Sequence, residues 1–109
     1  MLDANKLSQE LSTRSIARAE KSSAFKALED SEKSILATIT ESHLMQGSKS
    51  VAAAELKARS SAEYKDFLER KGAARLESDL AIGAHEVYRI HIELLRSNLS
   101  YEKAQMGII

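Results

Sequence analysis

The residues best suited to chemistry fall in one run of the second half, His85-Glu86-Val87-Tyr88-Arg89-Ile90-His91. A zinc-protease helix sets two histidines at i and i+4, so that both imidazoles share a face. Here they are six apart, about 600° around a helix, and point away from each other. His85 is therefore expected in a packed seam and His91 on a polar edge. A di-iron bundle needs Glu-x-x-His on two helices and further inward glutamates. Glu86 is followed three later by Arg89, Glu41 two later by His43, and no Glu-x-x-His occurs. Serines are numerous, but none sits in a Gly-flanked elbow, and the four glycines are isolated, so no phosphate loop is written here. With no cysteine, thiolate sites and disulfides are excluded. The expectation is a non-enzymatic protein with no catalytic residue, no metal and no cofactor.

Basic residues offer a second kind of chemistry. Arg14, Arg18 and Lys21, with Lys26 at the end of the run, are basic residues of the first helix, of which 14, 18 and 21 share one face, and Arg70 and Arg75, with Lys71, are candidates to lie near them. About four to six phosphate contacts give weak, salt-sensitive, sequence-independent binding to nucleic acid. The competing reading is a solvated face paired with the interleaved Glu10, Glu20, Glu29 and Glu32. Sixteen basic and sixteen acidic residues leave no net charge, which favours the paired face.

The elements that must position these residues follow from composition. In 109 residues there is no Pro, no Trp, and only three Tyr and two Phe. Ala, Leu, Ser, Glu, Lys and Arg dominate, as in long helices and coiled coils. A hydrophobic content of 43% with zero net charge argues against disorder. Between Asp3 and Met45 there is neither Gly nor Pro, which predicts a first helix over about 3–45, capped by Asp3 and stopped at Gly47. Ser50 is placed to cap a short helix over about 51–59. The capping-box spacing of Ser60 and Glu63 predicts a long helix over about 61–105, the alternative being one unbroken helix through both.

In that long helix Tyr64, Phe67, Lys71, Ala74, Ser78, Ala81, His85, Tyr88, Ile92, Leu95 and Leu99 step alternately by three and four, the seam spacing of a coiled coil. Gly72 and Gly83 bracket its small middle, where a neighbouring backbone is expected to come close. Folding the chain about residue 48 sets Ala19 opposite a position near 77. It also sets Phe25 and Leu28 opposite the Phe67–Lys71 region, and Leu7 and Leu11 opposite His85 and Tyr88. The two halves then agree on a narrow waist. This predicts an all-α, elongated antiparallel helical hairpin, coiled-coil-like, as a single domain over 1–109.

Apolar residues remain outside that seam. Val87, Ile90 and Leu94 make a second stripe, and its natural cover is another copy of the chain. A homo-oligomer is expected, a dimer first, with four helices and these three residues as oligomer contacts. No stretch reaches the roughly 20 apolar residues of a membrane span, and the start lacks a basic leader with an apolar core. A soluble intracellular protein without membrane partners is expected.

The second half also resembles a family of small helical accessory proteins from tailed phages and prophages. The matching words are Leu36-Ala37-Thr38, Ala54-Glu55-Leu56-Lys57-Ala58-Arg59-Ser60-Ser61, Glu63-Tyr64-Lys65, Ala73-Ala74, Tyr88, Glu93 with Arg96-Ser97, and Glu102-Lys103-Ala104-Gln105-Met106, covering roughly residues 25–106. The family pattern has Arg-Thr near the end of its long helix, where this chain has Arg96-Ser97. The resemblance implies an accessory or scaffold protein in the cytoplasm of a bacterial host, acting through helix–helix contacts, with no active-site residues to carry over. The alternative is a nucleic-acid-associated factor in phage recombination or replication, with Arg14, Arg18, Lys21, Arg70 and Arg75 on phosphate.

Overall fold

Short polar side chains and two glycines set the helix ends in a computed structural model that describes residues 3–107. The Asp3 carboxylate accepts the amides of Asn5 and Lys6 at 3.0 and 3.3 Å, two donors with no partner inside the first turn. Helix α1 then runs Ala4–Met45 without a breaker. It stops where Gly47 takes a φ of +100°, a left-handed conformation that costs a side chain dearly. The amides of Gly47 and Ser48 return to the carbonyls of Leu44 and His43, closing a Schellman turn.

Helix α2 (Val51–Arg59) starts at Ser50, whose hydroxyl accepts the Ala53 amide at 3.1 Å. Helix α3 spans Ala62–Gln105. Its cap is Ser61, which accepts the Tyr64 amide at 3.2 Å and donates to the Ala58 carbonyl. The box expected on Ser60 and Glu63 does not form, because the Ser60 hydroxyl turns back to the carbonyls of Leu56 and Lys57. Ser60 ends α2 instead, so α2 and α3 are separate helices. The fold is all-α, long–short–long, the parts of α1 and α3 that pair within a unit run antiparallel, and no strand occurs among the described residues.

The helices pair within two compact units. One is Lys21–Ser78; the other joins the chain up to Glu20 with the chain from Asp79 onward. In the first unit Phe67 is completely buried with Ile39, Ala58 and Tyr64, and Leu28, Ile35 and Leu36 pack against them. Ala54 and Ala58 lie one turn apart on α2 and have no exposed surface, since their single methyls let the α2 backbone come close. Further along, Glu32 meets Lys71, Lys21 meets Glu77, and the hydroxyls of Ser22 and Ser78 sit 3.2 Å apart. In the other unit Leu7 and Leu11 share a groove with Ile92 and Leu95, Arg14 lies over the Tyr88 ring, and Arg18 reaches His85.

These pairs differ from the register expected by folding at residue 48. Leu7 and Leu11 lie beside Ile92 and Leu95, a turn or more beyond His85 and Tyr88, and Glu77 and Ser78 take Lys21 and Ser22 as partners. The cause is α2, which moves the middle of the connection beyond residue 48.

The glycines also depart from expectation. A methyl placed on Gly72 or Gly83 would meet nothing within 4 Å, so neither admits a neighbouring backbone within the protomer. Each therefore lowers helix propensity, by about 1 kcal/mol against Ala, with no compensating contact inside the protomer. Gly72→Ala is expected to raise stability by about 0.5–1 kcal/mol, read as a higher midpoint in urea denaturation at unchanged slope.

Candidate interaction surface

Helix α3 carries apolar residues on two sides. Its inner side, in the unit that contains Asp79 onward, is formed by Ala81, His85, Tyr88, Ile92 and Leu95, all buried or half-buried. Its outer side steps by three and four from Leu80 through Gly83, Val87, Ile90, Leu94 and Ser97 to Tyr101, and every one of these residues is exposed. The large members keep 64% (Leu80), 70% (Val87), 47% (Ile90), 59% (Leu94) and 66% (Tyr101) of their surface. Seven residues apart, Leu80, Val87, Leu94 and Tyr101 form one heptad row, and Gly83, Ile90 and Ser97 form the other. Val87, Ile90 and Leu94, the residues expected as oligomer contacts, lie on this exposed face. The longer seam was missed there, although the alternating spacing from Leu80 to Tyr101 is present in the sequence.

A polar cluster borders this face. Arg89 donates to Glu86 at 3.1 Å and to Glu93 at 2.7 Å. The hydrogen bond from Arg89, then its charge, with Arg18 and His85 adding less, holds the Glu86 carboxyl below its ordinary value. Arg89 is raised in turn, first by its bond to Glu86. Arg18 approaches His85 Nδ1 at 3.1 Å and lies 3.5 Å from Glu86. His85 is half-buried in the seam and His91 is exposed.

The five basic residues considered for phosphate contact are placed as follows. Arg14 bonds Glu10 at 2.8 Å and lies 4.7 Å from the Tyr88 ring centre. Arg18 is held by His85 and Glu86, Lys21 by Glu77 at 3.0 Å, and Arg70 by Asp66 at 3.4 Å. Arg75 is exposed and forms no ion pair among the described residues. Arg14 and Arg18 belong to one unit, and Lys21, Arg70 and Arg75 to the other. Four of the five thus carry a carboxylate partner, which any phosphate would have to displace.

Lys71 makes the most sheltered ion pair, with its ammonium 2.7 Å from Glu32. That hydrogen bond, opposed by partial burial, raises the Lys71 pKa above 10.5. A folded-state pKa raised above the unfolded value gives stability that is present below pH 10.5 and lost as pH rises through the folded value. The stability gap between wild type and Lys71→Met is therefore expected to stay constant around neutrality and to shrink above about pH 10.5. Denaturant midpoints measured from pH 7 to 12 check this; a gap that widens in alkali would refute the pairing.

No family model, no curated protein and no solved structure matches this chain.

Proposed function

We propose that the protein is a non-enzymatic helical module that works by docking its outer α3 face against another helix, in an accessory or scaffold role of the kind the phage resemblance implies. The observation that supports this most is the exposed heptad seam from Leu80 to Tyr101. Scattered apolar residues are ordinary on a protein surface, but a continuous two-row stripe is the address of a partner helix. The phosphate-binding alternative is less favoured, because Arg14, Arg18, Lys21 and Arg70 are each engaged by an acid.

A photo-crosslinking amino acid at Val87, against a control at the exposed Lys57 of α2, tests the reading in the producing cells. A discrete protein adduct from position 87 and none from 57 is expected. No adduct at 87, or equal labelling at both positions, would overturn it. Retention of a labelled duplex and a single strand at low and high ionic strength tests the alternative, which fails if neither binds at low salt.

A further inference from the structure

We infer that the cover of the outer α3 face is the same face of a second copy, lying antiparallel and centred between Val87 and Ile90; this rests on the docking reading above.

Two observations lead there, and a third is compatible with it. The first is extent. Five large apolar side chains, each about half exposed or more, present roughly 100 Å² apiece, or about 500 Å² in one strip. That is near the top of what monomers leave open, about 300–600 Å². With its polar edges the strip approaches the roughly 800 Å² per partner of a standard interface.

The second is the pattern of sizes. The middle of the seam reads Leu80, Gly83, Val87, Ile90, Leu94, Ser97. In a parallel pair each residue meets its own copy, so Gly83 faces Gly83 and Ser97 faces Ser97, leaving two hollow layers. Reversed about its centre, the same strip sets Leu94 over Gly83, Leu80 over Ser97, and Val87 over Ile90. Each small residue then receives a leucine, and the two-fold axis repeats every pairing. Gly83 has open space around it inside the protomer, and this arrangement fills that space.

The third is charge. On one edge the reversed pairing brings Ala84 against His91. On the other it brings Glu86 against Glu93, carboxylates that each protomer has already tied to its own Arg89. Like charges meet there only with their counter-ion in place.

The chain has no cysteine, so introduced thiols report the geometry without interference. Leu80 and Ser97 are about 25 Å apart along one helix, too far to join within a chain. Leu80→Cys with Ser97→Cys in one chain is expected to oxidise to a covalent species of twice the 12.0 kDa mass, while each single variant stays monomeric on a non-reducing gel. Crosslinking of the single variants, with Leu80→Cys joining to itself, would establish the parallel pair and overturn the proposal.

Sedimentation equilibrium of the wild type is expected to give a dimer, and Val87→Glu to weaken it at least 100-fold at unchanged helical circular dichroism. A wild-type monomer throughout the micromolar range would overturn self-association. If the cellular Val87 adduct then carries a different protein, the docking reading survives and only its occupant changes; if no adduct forms, both fall.

Discussion

Phe67→Ala is expected to lower the stability of the protein by about 3 kcal/mol, within the usual cost of emptying a phenylalanine site. Phe67 is fully buried in a cluster with Ile39 and Ala58 and beside the Tyr64 ring, whose centroid lies 6.4 Å away. The chain has only two phenylalanines, and the other, Phe25, is half-buried. Removing the whole ring takes away burial and leaves a gap that α2 can fill only by moving. A domain of this size holds about 5–15 kcal/mol in all, so one substitution is expected to remove a large share. Urea denaturation followed by circular dichroism checks this, with Phe25→Ala as the comparison. Equal losses at the two positions would show that the cluster around Phe67 is not the main source of stability.

Ala58→Asp is expected to cost about 2–4 kcal/mol, from a mechanism unlike that of the phenylalanine change. Ala58 has no exposed surface and lies against the same cluster. A carboxylate there either stays ionised without a partner, or takes up a proton, or leaves the site and carries α2 with it. The last route costs least, because α2 has only nine residues and holds on through Ala54 and Ala58. Hydrogen exchange is the measurement to make: amides of residues 51–59 should lose protection, while Ala52→Asp, on the exposed side of α2, should leave them unchanged. Retained protection in Ala58→Asp would mean that α2 is held by something other than these two alanines.

Both expectations concern elements whose existence the sequence announces. The run from Asp3 to Met45 without glycine or proline, Gly47 after it, and Ser50 are strong local signals, whereas α3 is capped by Ser61, one residue past the Ser60 that the box spacing predicts. They act over one turn and need no knowledge of the partner helix. The pairing register is a different matter. Alanine and serine fit almost any offset in a two-helix seam, so the small middle of α1 could slide along α3 without an evident clash. What selects the observed offset is the length taken by α2 and a few specific pairs, such as Glu32 with Lys71 and Arg18 with His85. Those pairs become visible only once the offset is known. The same reasoning explains the glycines: in sequence a small residue signals room for a backbone, whereas Gly72 and Gly83 stand open within the protomer. On the outer face Val87, Ile90 and Leu94 were legible because large aliphatics at i, i+3 and i+7 must share a side. Gly83 and Ser97 were not, since a gap in a stripe reads as its end.

The antiparallel course of α1 and α3 bears on the order of assembly. Lys71 and Glu32 are 39 residues apart in the chain, and Arg18 and His85 are 67 apart. Each doubling of a closed loop adds only about 0.6 kcal/mol, but the shorter loop still closes first. The unit that holds Lys71 and Glu32 is therefore expected to form before the one that holds Arg18 and His85. The pairing of Leu7 and Leu11 with Ile92 and Leu95 would be the last made and the first released.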